Sequence, residues 1–365
     1  MKITNHGANL SYFAEKYNLK ESEIIDFSSN INIFSPNINY EKIMQYIKKN
    51  IGKYPDIYYM TLKQSISKIY DISTNSIYLG NGATEVIGDI LLLDRFHNIA
   101  ICDPTFSEYE RISNIYKKNI ISIDIDKIQE EYNDISNIYI DKKNVKPDII
   151  IICNPNNPTG VIYNLHNLLE YCEKNNIFLL VDETFIDFCH NEEYSLKSYI
   201  KSYSNLIVIS AITKYFAMTG SRLGYSFCSN ENINNELEYI QKPWSVNILA
   251  EAITYELQNI GEDFSINTKK YFEKENNRLY EKYSDLMDIK IVKSSACYMC
   301  ITFDYIDVYD LQEYLLINFK ILIRVLYNYK NIDRNSIRIA IKEREKNDLL
   351  FDAIKTYLQL KGSDI

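Results

Sequence analysis

Five short apolar runs, separated by stretches with helical periodicity, constrain the fold of this chain more than any other feature. They are SIYLG (76–80), NIAICD (98–103), DIIIIC (148–153), IFLLVD (177–182) and NLIVIS (205–210). Strands that are apolar at nearly every position are typical of a parallel sheet with both faces covered. Helical patterns lie between the runs, at 84–94 and 165–176. The alternation predicts an α/β fold, with a mostly parallel sheet covered by helices.

The rhythm changes towards both ends of the chain. After Pro243 a long helical stretch runs from about 245 to 284, and strand-like segments follow at 290–303 and 336–342. These segments predict a smaller α+β domain, and a length of 365 residues agrees with two domains at ~150 residues each. We therefore predict an N-terminal arm associated with the small domain, a large domain and a small C-terminal domain, over residues 1–35, 36–245 and 246–365.

Composition excludes several classes of function. A net charge of −9 argues against nucleic-acid binding, which needs clustered Lys and Arg. No run approaches the ~20 apolar residues of a membrane span, and no secretory signal is visible. Seven scattered cysteines indicate reduced thiols and a cytoplasmic location. The CxxC spacing at 297–300 lacks two further nearby ligands, so we predict buried packing and no metal.

A candidate anion site follows the first apolar run. In GNGATE (80–85), Gly80 and Gly82 permit a tight turn, and Ala83 and Thr84 come at the predicted start of a helix. Free backbone N–H groups at a helix start suit a phosphate. A plain turn between strand and helix is the alternative.

Three further segments place polar groups after buried strands. NPNNPTG (154–160) clusters short amides, and Asp182 of VDETF ends a strand where a carboxylate needs a cationic partner or caps the next helix. Lys214 follows the run ending at 210 and could form a Schiff base if partly desolvated. Because ligands of open α/β sheets bind beyond the carboxyl ends of the strands, these groups are expected at one edge.

Taken in order, GNGATE, DPTF, NPNNPTG, DET, TK and RLGY resemble the fold-type I pyridoxal-phosphate (PLP) enzymes of the class I/II aminotransferase group. The resemblance spans roughly residues 54–225, and Arg338 extends it. It implies that Lys214 holds PLP covalently and later moves a proton. It also implies that Asp182 pairs with the pyridinium nitrogen, that Asn157 bonds the ring's 3-oxygen and that Phe106 stacks on the ring.

The resemblance also assigns the anion-binding residues. The cofactor phosphate would lie on the backbone amides at the helix start, assisted by two side chains: Ala83, Thr84, Thr213 and Arg222. Tyr54 would reach the phosphate of a neighbouring subunit's cofactor, which implies a homodimer with shared active sites. Arg338 would bind the substrate carboxylate through its planar fork.

Two positions depart from the family pattern. Ala211 stands where Ser is common, so one phosphate donor is missing, for which Thr213 or Ser210 could compensate. Phe185 stands where Tyr is common, which removes a hydroxyl near the ring oxygen. Such a loss could tune the cofactor away from plain transamination.

Within the group, the chain resembles two branches that act on phosphorylated amines or amino acids. NHGANL, IDFSSNIN, DETFIDF and PWSVN favour the L-threonine-O-3-phosphate decarboxylases of cobalamin biosynthesis, whereas histidinol-phosphate aminotransferases remain the alternative. Both branches imply a second anion site, and the expected residues for the substrate phosphate are Arg324, His6 and Asn32. A PLP-binding protein without catalysis is disfavoured because the residues of the cofactor motifs occur together.

Overall fold

The structure is a computed structural model that describes residues 7, 9–127, 145–190, 192–327 and 329–362. Its strands are β1 Ile25–Asp26, β2 Ile77–Gly80, β3 Asn98–Asp103, β4 Asn119–Asp124, β5 Ile149–Cys153, β6 Phe178–Asp182, β7 Leu206–Ala211, β8 Gly224–Phe227, β9 Ile289–Ile291, β10 Tyr298–Phe303, β11 Ile321–Leu322, β12 Arg324–Val325 and β13 Ser336–Ala340. Its α-helices are α1 Leu10–Tyr17, α2 Tyr40–Asn50, α3 Met60–Tyr70, α4 Ala83–Leu92, α5 Glu108–Ile115, α6 His166–Lys174, α7 Ile212–Tyr215, α8 Glu231–Ile240, α9 Ile248–Leu257, α10 Glu262–Ser284, α11 Val308–Phe319 and α12 Arg344–Leu360.

A seven-stranded sheet forms the centre of the larger part of the molecule. Its strand order is β2-β8-β7-β6-β5-β3-β4, and β8 runs antiparallel to both of its neighbours while the other pairs are parallel. All five predicted runs are strands of this sheet, so the prediction of a mostly parallel sheet is confirmed. Strands β4 and β8 were not predicted, because a serine interrupts the apolar run in each of them.

Both faces of this sheet are buried, as the continuous apolar runs predict. In β5, Ile150 and Ile152 contribute to one hydrophobic cluster, while Ile149, Ile151 and Cys153 contribute to another on the opposite face. Residues of α3 and α6 belong to the first cluster, and residues of α4, α5 and α8 belong to the second. Successive side chains of a strand point to opposite faces, so a strand covered on both sides must be apolar throughout.

A smaller antiparallel sheet, in the order β12-β13-β10-β9, follows in the C-terminal part. The segment 290–303, expected as one strand, is instead interrupted between β9 and β10, which pair with each other. The predicted helical stretch of 245–284 is likewise divided into α9 and α10 by a break at 258–261.

The N-terminal arm lies against elements of the C-terminal part. Strand β1 pairs with β11 in parallel, and the N–H of Ala340 donates to the carbonyl of Phe27. Ala14 and Ile24 pack against Leu316 and Leu322. The domain boundaries at residues 35 and 245 stay predictions.

Three further observations concern the described part of the chain. No helix in it is both apolar and long enough to span a membrane. All seven cysteines are free and buried. No cluster of three or more potential metal ligands occurs among these residues.

Candidate active site

A cavity of about 600 Å³ lies beyond the carboxyl ends of β5, β6 and β7. The arm, through residues 28–31, forms part of its opposite wall. Nine of the residues expected at the site line this one cavity: Ala83, Thr84, Phe106, Asn157, Asp182, Thr213, Lys214, Arg222 and Arg338.

Lys214 enters the cavity from α7, the single helical turn that follows β7. Burial lowers the pKa of its amine from the ordinary value to about 8, and the positive charges of Arg338 and Arg222 act in the same direction. An ammonium that loses water of hydration is destabilised relative to the neutral amine. Lys214 therefore carries more of the nucleophilic, neutral amine near neutral pH than an ordinary lysine does.

Asp182 ends β6 with its carboxylate buried and only 5% of the residue exposed. Its Oδ1 accepts hydrogen bonds from the backbone N–H of Thr184 (3.0 Å) and from the Thr184 hydroxyl (2.5 Å). Its Oδ2 accepts a bond from the Tyr109 hydroxyl at 2.7 Å. No described cation forms an ion pair with this buried carboxyl group, which therefore suits a cationic ligand group.

Two glycines, Gly82 and Gly224, allow the Arg222 guanidinium and the backbone of a neighbouring strand to approach the start of α4 closely. A Cβ at Gly82, where φ is +85°, would lie 2.3 Å from Arg222 Nη2, and a Cβ at Gly224 would lie 2.2 Å from the backbone N of Ala83. Larger residues at either position would therefore close this cradle. Because free N–H groups at a helix start and a guanidinium both favour anions, the cradle suits a phosphate.

Arg338 lies on β13 and is 6% exposed. Its Nη1 donates to Asn157 Oδ1 at 2.5 Å, and its Nη2 donates to the carbonyl of Ser28 at 2.9 Å. Its buried Nε finds no acceptor among the described residues. This guanidinium therefore joins the sheet edge, the arm and the small sheet, and retains donor capacity for an anionic ligand.

Aromatic residues complete the wall of the cavity. Phe106 packs edge-on against Tyr109, with ring centroids 5.6 Å apart, and Phe185 packs edge-on against Tyr298 at 4.9 Å. Because residue 185 is Phe and not Tyr, this part of the wall has no side-chain hydroxyl at that position.

The two residues proposed to compensate for Ala211 differ in position. Thr213 lines the cavity. Ser210 does not line it; it pairs in register with Tyr225 on the neighbouring strand. Thr213 is therefore the better candidate of the two.

Three of the expected residues that the structure describes do not line the cavity. Tyr54 is 79% exposed and packs against Trp244 with the rings tilted by 30° and their centroids 4.5 Å apart. Arg324, on β12, lies opposite Arg338 in the register of the small sheet. His6 lies outside the described residues.

Asn32 is the third, and the expected phosphate contact stays a prediction. Its Nδ2 donates to the carbonyl of Tyr215 at 2.7 Å, and its Oδ1 accepts from the N–H of Phe34 at 3.0 Å. The side chain is therefore occupied by backbone groups.

Sequence reasoning missed Tyr109, Thr184 and the backbone of residues 28–31. Thr184, two positions after an aspartate, was detectable, since Asp side chains commonly bond backbone and hydroxyl groups two residues on. Tyr109 carried no such signal, because its contact with Asp182 depends on how α5 packs against the sheet.

These residues fit PLP on observations of the structure itself. The cradle around Gly82 suits the cofactor phosphate, Asp182 would hold the pyridinium nitrogen, and Lys214 supplies an amine for the aldehyde. When bound, PLP supplies an electron sink for charge that develops on the substrate.

Comparisons with known proteins agree with this geometry. The chain is 31% identical over 362 residues to the adenosylcobalamin biosynthesis bifunctional protein CobDQ of Leptospira interrogans; the match covers 97% of this chain but 41% of that protein. It is 28% identical to the threonine-phosphate decarboxylase of Salmonella typhimurium, over 97% of this chain and 96% of that protein.

A solved structure also resembles the chain closely. The histidinol-phosphate aminotransferase of Clostridium acetobutylicum superposes with a TM-score of 0.79 at 29% identity, covering 91% of this chain and 98% of that one. Finally, residues 22–354 match the family model for aminotransferase class I and II. Because this match covers most of the chain and the family is PLP-dependent, the protein belongs to the class I and II aminotransferase family of PLP enzymes.

Proposed function

We propose that this chain is a PLP-dependent lyase that decarboxylates L-threonine O-3-phosphate to (R)-1-aminopropan-2-yl phosphate in cobalamin biosynthesis. The bond between the α-carbon and the carboxylate breaks, CO₂ leaves, and a proton takes its place on the same carbon. The relatives from Leptospira and Salmonella support this choice within the family through their names.

The observation that carries the proposal is the pairing of two arginines on the small sheet. Arg324 and Arg338 lie directly opposite each other in the register of β12 and β13. Like charges at opposed positions destabilise a sheet, and the charge of Arg338 is among the causes that lower the pKa of the Arg324 guanidinium. Such a pair is stabilised by a ligand with two anionic groups, as in an amino acid that also carries a phosphate.

Each arginine would take one of these groups. Arg338, which lines the cavity beside Lys214, would bind the carboxylate, and Arg324 would attract the phosphate from the adjacent strand. Burial lowers the pKa of the Arg324 guanidinium, which indicates a partly desolvated cation that gains from an anion. Two anchor points fix the rotation of the substrate, and this rotation decides which bond of the α-carbon breaks.

Lys214 would deliver the proton. Its amine has a pKa of about 8, so it gives up and accepts protons near neutral pH. Phe106 and Phe185 would exclude water from the wall beside it, and Asp182, fixed by Thr184 and Tyr109, would keep its negative charge in place.

Histidinol-phosphate aminotransferase is the second candidate. The structural similarity to the Clostridium acetobutylicum enzyme favours it, and the two arginines would equally suit the two carboxylates of 2-oxoglutarate. Histidinol phosphate itself has no carboxylate, so only the acceptor would use both arginines.

A product assay with both substrates separates the two functions. Purified holoenzyme is incubated with L-threonine O-3-phosphate or with L-histidinol phosphate, each with and without 2-oxoglutarate. Release of CO₂ from threonine phosphate without 2-oxoglutarate supports the lyase. Formation of glutamate from histidinol phosphate, with no CO₂ from threonine phosphate, contradicts it.

A homodimer with shared active sites is part of the proposal. Large apolar side chains are exposed on α2, the loop after it and the segment that leads to α9: Tyr40, Met44, Ile51, Tyr54, Tyr58 and Trp244. A second copy of the chain would cover them, and Tyr54, which lies outside the cavity of its own chain, would reach the other site.

A cytoplasmic location is also part of the proposal. All seven cysteines are free and buried, as is usual for proteins of the reducing cytoplasm.

Hybrid dimers test the sharing. Subunits with Lys214→Ala and subunits with Tyr54→Ala are each weakly active when pure, and mixing them creates one site with both native residues. We expect mixing to recover roughly a quarter of wild-type activity. If mixing recovers none while size measurements confirm hybrids, Tyr54 does not act across the dimer.

A further inference from the structure

The catalytic lysine stands on a helix too short to be stable alone. Helix α7 has four residues, Ile212–Tyr215, and an isolated turn of this length does not repay the cost of helix nucleation. The last carbonyl groups of a helix also have no partner inside it. Contacts from elsewhere in the chain must therefore fix the position of the Lys214 backbone.

Asn32 of the arm supplies these contacts. Its backbone N–H donates to the carbonyl of Lys214 at 3.1 Å, and its Nδ2 donates to the carbonyl of Tyr215 at 2.7 Å. Its Oδ1 accepts from the N–H of Phe34 at 3.0 Å, which holds the side chain in this orientation. Asn32 thus donates to two carbonyl groups at the end of α7, of which that of Lys214 also accepts from the N–H of Ala217 at 3.2 Å.

Asn32 is also sealed from the cavity. The residue is 5% exposed and does not line the cavity, whereas Asn30 and Ile31 do. The same arm is held on its other side by Arg338, which donates to the carbonyl of Ser28. The arm therefore spans from the carboxylate-binding arginine to the backbone of the catalytic lysine.

We infer that Asn32 is a positioning residue, which caps α7 from the arm and thereby holds the amine of Lys214 inside the cavity. The inference deepens the proposed function, because it concerns the same site, but it does not depend on which substrate is used. The charged and titratable groups that act on the amine are Arg338, Arg222, Asp26 and Cys297. A shift of α7 changes the distance of Lys214 from all of them.

The test measures how fast PLP is captured by the full-length protein after removal of the cofactor. The rate of forming a borohydride-reducible adduct with PLP is followed from pH 6 to 10 in wild type, Asn32→Ala and Asn32→Asp. Asn230→Ala is the matched control, since the Asn230 side chain also accepts from one backbone N–H and donates to one backbone carbonyl, away from the site.

We expect Asn32→Ala to raise the pH midpoint of capture by about one unit, because a looser α7 exposes the amine to water. Asn32→Asp should raise it at least as far, since it also adds a negative charge. In turnover, kcat falls about tenfold while KM and inhibition by inorganic phosphate stay unchanged, since small displacements of a reacting group are costly. Asn230→Ala leaves the midpoint at its wild-type value.

One pattern overturns the inference. An unchanged midpoint in both Asn32 variants, with weaker inhibition by inorganic phosphate, would make Asn32 a substrate contact after all. If Asn32→Ala does not fold, Asn32→Asp decides, because its carboxylate keeps the acceptor for Phe34. Loss of the proposed decarboxylation would leave the capture experiment valid, since that experiment uses PLP alone.

Discussion

The two walls of the cavity are built in different ways. On the sheet side, Asn157, Asp182 and Lys214 each come at or just after the end of a strand, so the parallel sheet itself brings them together. On the arm side, Arg338 reaches across to the carbonyl of Ser28, 310 residues away in sequence. The sheet side depends on local sequence and one sheet edge, whereas the arm side depends on how the arm docks. We therefore expect changes on the sheet side to affect cofactor binding and changes of Arg338 to affect the substrate. Asn32, although part of the arm, bonds the backbone of Lys214 and is expected to behave as a residue of the sheet side.

The largest expected effect is on the sheet side. Lys214→Ala removes the amine that would bind the cofactor and move the proton, so turnover should fall by about 10³-fold or more. Product formation measures this loss, and borohydride reduction followed by mass spectrometry checks the adduct. A reducible adduct that persists in the variant would assign the site to another lysine.

A change of Arg338, which joins the small sheet to the arm, should spare the cofactor. Arg338→Lys keeps the positive charge but loses the fork that reaches Asn157 and Ser28, and we expect kcat/KM to fall by about 100-fold with an unchanged Kd for PLP. Arg324→Lys is the companion variant, and it should weaken inhibition by inorganic phosphate. If Arg338→Lys lowered the affinity for PLP as much as it lowered kcat/KM, the two walls would not differ in function.

Tyr109 tests the sheet side more finely. Tyr109→Phe removes the hydrogen bond to Asp182, and a hydrogen bond to a charged group contributes about 1.5–3 kcal/mol. We therefore expect the Kd for PLP to rise about tenfold, measured by equilibrium dialysis. The control is Tyr78→Phe, which removes a similar buried bond to Asp89 away from the cavity. The same rise in both variants would point to a general loss of stability.

The smallest expected effect is on pH dependence. Only the neutral amine of Lys214 attacks an aldehyde, and its pKa is about 8. Capture of PLP by the cofactor-free protein should therefore accelerate about fivefold between pH 7 and pH 8 and level off above pH 9, as the amine loses its proton. Acceleration that continues to pH 10 would mean that burial does not lower the pKa of Lys214.

The residues of the sheet side could be predicted from the sequence, because buried parallel strands are recognisable as apolar runs. Asp182 and Lys214 follow such runs directly, so the edge at which they meet could be predicted. The strand pairing also explains why Gly224 reaches the start of α4, a contact that was not predicted.

The arm side could be predicted only in part. Arg338 was identified through the family resemblance, but the direction of the Asn32 side chain depends on docking between distant segments. The division of the expected long helix at 258–261 was missed because its residues, apart from Gly261, continue a helical pattern. The hydrogen bond to the Ser28 carbonyl could not be predicted, because every residue has a backbone carbonyl and the residue type does not show which one will be used.

The proposed reaction of this site is the removal of the carboxylate of threonine phosphate as CO₂. The most direct measurement follows L-threonine O-3-phosphate labelled in its carboxyl carbon, with holoenzyme and without any 2-oxo acid. We predict labelled CO₂ over many turnovers, together with an equal amount of 1-aminopropan-2-yl phosphate. Retention of the label in the substrate, or turnover only when 2-oxoglutarate is added, would contradict it.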